Sequence, residues 1–359
     1  MKTKTLQFQA LEDRTTPSDF AVGAMAGGGP RVRVFNDAGG VVADFFAYSP
    51  TFSGGVRVAM GDVNGDGVLD LVTAPASNGG SQINVYNGAT NFTTQLEGSF
   101  FAFNPAYTGG VYLAVGDLNG DSKADIVTSG FDLNSNSTQV RMYDSVTPNQ
   151  LYTQFNPWST GSNYFPGFSV SVVDGVVEVG DPGGYPNYSY NSIVNYTGGG
   201  GVTTVPDGPD IRYVTPSNGS TIWNVELGIV GGNFTNNING GLTPLGASYS
   251  TGTVWAAVNR LDGDGSVDDV GGYQGLLGAW DSGVFVHLSG SGTTTSLHPY
   301  PAGYKGLVNE IVRDRNGAHT LIVAGSNVTD STVVLYNGSL TQIGTIQAIP
   351  SFSGGVYVG

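Results

Sequence analysis

Acidic side chains recur at a fixed short spacing in two stretches of the chain. The first stretch is GDVNGDGVLD over residues 61–70, and the second, GDLNGDSKAD over residues 116–125, begins 55 residues later. Carboxylate, amide and backbone carbonyl oxygens at this spacing are the ligands that a hard cation such as calcium needs. The two stretches therefore predict two calcium sites.

In each loop the predicted ligands are four side chains and one backbone carbonyl. In the first loop they are Asp62, Asn64, Asp66, the carbonyl of Val68, and Asp70. In the second loop they are Asp117, Asn119, Asp121, the carbonyl of Lys123, and Asp125. Three carboxylates so close together repel one another without a cation, which disfavours the alternative that these are ordinary Asp/Asn/Gly turns. The sharp turn is less favoured in the second loop, where Ser122 stands in place of Gly67.

The acidic loops belong to a longer repeat with strand-like patterns. Hydrophobic residues alternate over residues 56–60, and β-prone runs follow at 71–73, 83–86 and 98–103. Four short antiparallel strands form one propeller blade, and a fixed period of about 50 residues is typical of a closed ring of blades. We therefore predict an all-β β-propeller with seven four-stranded blades. Six blades with a long insertion at 200–250 is the alternative.

The two ends of the chain share one repeat. The C-terminal residues PSFSGGVYVG (350–359) nearly copy PTFSGGVRV (50–58), whereas the N-terminal repeat begins after its first strand. We therefore expect the C-terminal strand to pair with the N-terminal strands, which would close the ring and remove two open sheet edges. Residues 1–18 are predicted to be an export, sorting or disordered segment, and residues 19–359 a single propeller domain.

Two resemblances add to this interpretation. The words GDVNGDGVLDLV and GDLNGDSKADIV resemble the FG-GAP repeat, also called VCBS-like, of bacterial and integrin-type β-propellers. That resemblance covers about residues 19–156 and the C-terminus, and it implies that each acidic loop joins the first two strands of a blade and binds calcium. The sequence LEDR at residues 11–14 resembles an N-terminal motif of predicted extracellular proteins of planctomycete bacteria, which implies secretion or display at the cell surface.

A third acidic loop departs from the pattern. Its acids are Asp262, Asp264 and Asp268, but Arg260 occupies the position that an aspartate holds in the first two loops. Because Arg260 can pair with these acids in place of a metal, the loop is a weaker metal prediction.

Composition excludes several classes of partner. The net charge is −15, which argues against nucleic acid because phosphate binding needs a basic surface. No apolar run reaches the roughly 18 residues that a membrane-spanning helix needs. The chain has no cysteine, so it forms no disulfide.

No catalytic motif is visible. The chain has three histidines, all in unrelated repeats, and it lacks HExxH, CxxC and GxSxG words. We therefore expect a non-enzymatic, monomeric, calcium-stabilised propeller that is extracellular or displayed at the cell surface. It would act as a binding or adhesion module for an unknown protein or glycan. The alternatives are a carbohydrate-active enzyme, such as a polysaccharide lyase or glycosidase, and a lectin on the same scaffold.

Overall fold

The structure is a computed structural model of the chain. The residues that it describes are 19–96, 99–145, 151–155, 169–173, 176–180, 193–197, 201–203, 227–230, 233–238, 241–244, 254–259, 268–273, 281–288, 291–304, 306, 308–315, 318–325 and 331–359. The predicted segment 1–18 lies outside them. Among the described residues, no helix is long and apolar enough to cross a membrane.

The described residues are almost entirely β-strand. The strands of the first half of the chain are β1 (Phe20–Ala24), β2 (Arg31–Phe35), β3 (Val41–Phe46), β4 (Val56–Gly61), β5 (Asp70–Pro75), β6 (Gln82–Tyr86), β7 (Phe100–Phe101), β8 (Tyr112–Gly116), β9 (Asp125–Asp132), β10 (Ser137–Tyr143), β11 (Leu151–Phe155), β12 (Ser169–Val173) and β13 (Val176–Gly180). A single turn of 3-10 helix follows β6 at Gly88–Thr90.

The second half continues the same pattern of short strands. Its strands are β14 (Ile193–Thr197), β15 (Gly201–Thr203), β16 (Leu227–Val230), β17 (Asn233–Ile238), β18 (Gly241–Pro244), β19 (Val254–Asn259), β20 (Asp268–Tyr273), β21 (Gly283–Leu288), β22 (Thr293–Leu297), β23 (Val308–Arg315), β24 (Ala318–Gly325), β25 (Thr332–Asn337), β26 (Gln342–Gln347) and β27 (Val356–Val358).

Within the described residues these strands form seven antiparallel sheets. Six sheets have four strands each, in the orders β27-β1-β2-β3, β4-β5-β6-β7, β8-β9-β10-β11, β12-β13-β14-β15, β19-β20-β21-β22 and β23-β24-β25-β26. The remaining sheet has three strands, in the order β16-β17-β18. Successive strands joined by short turns are the pattern of propeller blades. The prediction of an all-β propeller is confirmed.

The C-terminal strand completes the N-terminal sheet, as its sequence predicts. Strand β27 pairs antiparallel with β1, and Val22 lies opposite Val358 in this register. The ladder extends by one residue, because Ala21 donates its N–H to the Gly359 carbonyl at 2.9 Å and accepts the Gly359 N–H at 3.1 Å. One sheet is therefore assembled from the two ends of the chain.

The first strands of the four-stranded sheets contact one another in a cycle. Strand β27 contacts β4, β4 contacts β8, β8 contacts β12, β12 contacts β19, β19 contacts β23, and β23 contacts β27. The three-stranded sheet β16–β18 lies between β12 and β19 in the chain, yet β12 contacts β19 directly. Seven sheets are present among the described residues, but these contacts leave the blade count open. Seven blades, and the alternative of six with an insertion at 200–250, both stay predictions.

The described core lies between neighbouring sheets. Between the β4–β7 and β8–β11 sheets, for example, Ile83 and Val72 pack against Ile126. All three side chains are fully buried. Strands with one apolar side therefore bury that side against the next blade, which explains the alternation in the sequence.

The repeated word FSGG, at residues 52–55 and 352–355, has a packing role. Phe52 lies so close to Gly54 that a Cβ on this glycine would be 2.6 Å from the ring, and Phe352 has the same relation to Gly354. Such contacts leave no room for a side chain, so these glycines are required where the chain enters the first strand of a blade.

Candidate metal centres

Both acidic loops join the first two strands of a blade. The first loop connects β4 to β5, and Gly61 lies opposite Asp70 where these strands begin to pair. The second loop connects β8 to β9, and Gly116 lies opposite Asp125 in the same way. The position that the sequence resemblance implies for these loops is confirmed. Because β4 contacts β8, the two loops lie at matching places in adjacent blades.

The first loop is folded by its own acidic side chains. The carboxylate of Asp62 accepts the N–H of Gly65 at 2.7 Å through Oδ1 and that of Gly67 at 2.8 Å through Oδ2. The Asn64 Oδ1 atom accepts the Asp66 N–H at 2.8 Å. A side-chain oxygen that accepts an N–H two or more residues ahead forms an Asx-type turn. The loop is therefore wound so that its polar side chains are held by backbone donors.

The last acid of the first loop is buried. The Asp70 side chain is fully buried, and it accepts the Val63 N–H at 3.0 Å and the Gly88 N–H at 2.9 Å. Burial raises the pKa of Asp70 to about 6, against the lowering effect of these hydrogen bonds. Asp70 thus links the loop to the turn after β6, although its carboxylate is buried in this position.

The second loop repeats these hydrogen bonds. The Asp117 carboxylate accepts the N–H of Gly120 at 2.7 Å and that of Ser122 at 2.9 Å. Buried Asp125 accepts the Leu118 N–H at 3.0 Å and the Ser145 N–H at 3.1 Å. Burial again raises the pKa of Asp125. The two loops therefore share one architecture.

The acids at the fifth position of each loop, Asp66 and Asp121, accept equivalent hydrogen bonds. The Asp66 Oδ1 atom accepts the Val68 N–H at 2.8 Å, and the Asp121 Oδ1 atom accepts the Lys123 N–H at 2.9 Å. Val68 and Lys123, whose carbonyl oxygens are predicted ligands, each belong to the turn that this hydrogen bond closes in their own loop. Asn119 accepts the Asp121 N–H at 2.9 Å, as Asn64 does for Asp66 in the first loop.

The sixth position of each loop requires a left-handed backbone. Gly67 has φ +83° and Ser122 has φ +69°. A residue with a Cβ is disfavoured there by about 1 kcal/mol, whereas glycine is not.

We expect Ser122→Gly to stabilise the protein by up to about 1 kcal/mol, because it relieves this backbone strain. The reciprocal Gly67→Ser change should destabilise it by a similar amount. Urea unfolding of both variants, measured with calcium present, checks the pair. Equal destabilisation by both substitutions would contradict this account of the turn.

The acids of these loops have no cationic partner among the described residues. The ion pairs found there join other residues, namely Arg31 and Arg33 with Asp44, and Arg141 with Asp132. No three Asp, Glu, His or Cys side chains converge as a metal-binding group within the same part of the chain. In this structure the loop carboxylates are directed at backbone N–H groups instead.

Most of the third acidic loop lies outside the residues that the structure describes. Asp262 and Asp264 lie in the undescribed stretch 260–267. Asp268 begins β20, where it lies opposite Asn259. The metal prediction for this loop stays a prediction.

The comparison with family models falls on the same two loops. Residues 62–128 match the model described as "FG-GAP-like repeat". This stretch runs from the first acid of the first loop through the whole of the second loop. This stretch is an FG-GAP-like repeat. The chain is thus a β-propeller that contains an FG-GAP-like repeat, as the sequence words predict. No curated protein matches the chain significantly in sequence.

Solved structures resemble this propeller in fold. The periplasmic gluconolactonase PpgL of Pseudomonas aeruginosa has a TM-score of 0.53 at 13% identity, over 95% of this chain and 99% of that one. A protein of unknown function from Bacteroides caccae has a TM-score of 0.44 at 9% identity, over 95% and 98% of the two chains. The Dos1 propeller has a TM-score of 0.38 at 12% identity, over 90% of this chain and 66% of that one. At these identities the likeness concerns the fold alone.

The prediction that the chain is not an enzyme is corrected by this comparison. The solved structure with a TM-score of 0.53 is named as a gluconolactonase, so a scaffold of this shape is found in an enzyme. A lack of HExxH, CxxC and GxSxG words therefore gives no ground for excluding catalysis, since fold and activity vary independently.

Sequence reasoning missed two features of the site. Asp70 and Asp125 anchor their loops to later turns, which only the folded chain can show. The side chain of Lys123, from the second loop, lies against Gly65 of the first loop. The 55-residue repeat was the available signal for this contact, because equivalent loops of consecutive blades must be neighbours.

Proposed function

We propose that this protein is a calcium-stabilised propeller in which the two acidic loops each bind one calcium ion. The observation that carries the proposal is the duplication of one folded loop whose acids have no cationic partner among the described residues. Buried, unpaired carboxylates are costly. A bound cation would favour their charged form and offset the burial that raises the pKa of Asp70.

The donor set fits a hard cation. Each loop offers only oxygen donors from its acids, its asparagine and one carbonyl. A carboxylate oxygen has two lone pairs, so the bonds from backbone N–H groups leave each acid with further acceptor capacity. In the first loop Asp62, Asn64 and Asp66 would hold the ion, with the Val68 carbonyl and Asp70 completing the set. When bound, the ion supplies positive charge that holds these oxygens together.

The role outside the cell is part of the same proposal. Loops of weak affinity suit the millimolar calcium of extracellular fluids. At a calcium concentration ten times Kd, each site adds about 1.4 kcal/mol of stability, so two sites add roughly 3 kcal/mol. The ring would then serve as a rigid extracellular or cell-surface scaffold that binds a protein or a glycan, as in adhesion. A glycan array probed with the calcium-loaded protein tests whether the partner is a glycan.

Isothermal titration with calcium tests the metal assignment. Wild-type protein should bind two ions, and Asp66→Ala and Asp121→Ala should each lose one, because each removes an acid from a different loop. Ile343→Ser is the matched control, since Ile343 is exposed on β26, remote in sequence from both loops. Absence of calcium binding by the wild-type protein would contradict the proposal.

A further inference from the structure

The two acidic loops touch each other through residues 123–124. The Ala124 N–H donates to the Asp62 carbonyl at 2.7 Å, so the second loop is bonded to the backbone of the first. A Cβ on Gly61 would lie 2.8 Å from the Ala124 Cβ. The main chains of the loops are therefore packed together without an intervening side chain.

The Lys123 side chain extends this contact over the first loop. A Cβ on Gly65 would lie 3.1 Å from Lys123 Cγ and 3.0 Å from Lys123 Cε. The methylene groups thus lie along the backbone between Asn64 and Asp66. Because the ammonium follows Cε directly, its charge lies beside the first loop, although its backbone carbonyl is a predicted ligand of the second.

The ammonium does not neutralise the acids of the first loop by a direct ion pair. The ion pairs among the described residues all involve arginine. Its charge therefore acts on the first loop through space. A positive charge beside a cation site raises the electrostatic free energy of the bound ion.

We propose that Lys123 lowers the calcium affinity of the first loop and so makes the two sites unequal. This inference rests on the proposed function, because it presupposes that the first loop binds calcium. For a single charge about 6–8 Å from a divalent ion in water, the effect is about five- to tenfold in Kd at low salt. Salt screens exposed charges, so the effect should shrink as ionic strength rises.

Lys123→Gln is the informative substitution, and Lys123→Arg is its matched control. Glutamine keeps most of the methylene stem over Gly65 but removes the charge, whereas arginine keeps the charge. Both leave the backbone carbonyl of residue 123 available to the second loop. Thermal melts of the two variants with excess chelator should match the wild type, which establishes that any change in affinity is not a folding defect.

Calcium titration calorimetry on the full chain tests the proposal, with each binding phase assigned by Asp66→Ala and Asp121→Ala. At low salt Lys123→Gln should lower the first-loop Kd about five- to tenfold, and Lys123→Arg should leave it unchanged. At high salt the difference should become small. Two calcium phases that do not respond to Lys123→Gln, or a larger response in the second loop, would overturn the inference alone. A wild-type protein that binds no calcium would overturn the proposed function as well.

Discussion

Removal of residues 354–359 should strongly destabilise the whole ring. The deletion takes away β27, whose residues Val356 and Val358 are 0% and 9% exposed. Burial of two valine side chains contributes about 3–6 kcal/mol. The lost ladder with β1 removes further hydrogen bonds, each of which contributes about 1 kcal/mol. The sum is comparable to the free energy of unfolding of a typical domain, about 5–15 kcal/mol.

A second partner of β27 strengthens this expectation. Asn309 on β23 accepts the Val358 N–H at 2.9 Å and donates to the Val356 carbonyl at 3.1 Å. The deletion therefore leaves the buried Asn309 amide without these partners as well as opening the edge of β1. We expect the melting temperature to fall by about 10 °C or more.

Differential scanning calorimetry with calcium present measures this effect. Ile343→Ser is the control, because Ile343 is 53% exposed on an outer strand and its loss should be nearly neutral. A truncated protein that melts at the wild-type temperature would contradict the shared sheet.

Arg141→Ala should be the most damaging substitution of a single charged residue. The guanidinium lies 3.4 Å from the Asp132 carboxylate and donates to the Ala102 carbonyl at 2.7 Å. It also stacks 4.7 Å from the centre of the Phe103 ring, in the preceding blade. Asp132 is only 3% exposed, so the substitution leaves a buried carboxylate without its cation. The expected loss is about 3–5 kcal/mol.

The matched control is Arg31→Ala. It removes an ion pair that has better geometry than the Arg141–Asp132 pair but is more exposed to solvent. Arg31 contacts Asp44 through two bonds of 2.7 Å, and the side chains are 31% and 33% exposed. Exposed pairs contribute about 1 kcal/mol or less. Urea unfolding of both variants should therefore separate them clearly. Equal losses in the free energy of unfolding would show that the buried Asp132 carboxylate does not need Arg141 as its cation.

Local patterns predicted the strands well because each blade is built from neighbouring residues. The alternating residues 56–60 correspond to β4, and the β-prone runs at 71–73 and 83–86 correspond to β5 and β6. The copied C-terminal word predicted the pairing of β27 with β1. In these cases two copies of one sequence form equivalent strands, and each strand pairs with an equivalent neighbour.

The number of blades could not be read in the same way. Strands β16–β18 carry β-prone residues like any other sheet, so a count of strand runs includes them. Which sheet packs against which depends on contacts between segments far apart in the chain, such as β12 with β19. Alternation along one strand carries no information about that partner.

The acidic loops were predictable in position but not in their internal bonding. Spacing alone marks Asp62 and Asp117 as the first predicted ligands of each loop. It did not show that Asp70 is buried against Gly88, or that Lys123 lies over Gly65. These contacts arise from the packing of one blade on another, which a single repeat does not encode.

The most direct test of the calcium-stabilised propeller is a thermal melt with excess chelator, repeated after calcium is restored. The melting temperature should fall by several degrees without calcium and recover when it is returned, since two occupied sites add roughly 3 kcal/mol. The response should be reduced in Asp66→Ala and in Asp121→Ala. Identical melting curves with chelator and with calcium would contradict the central claim, and the two loops would then be turns held only by their own hydrogen bonds.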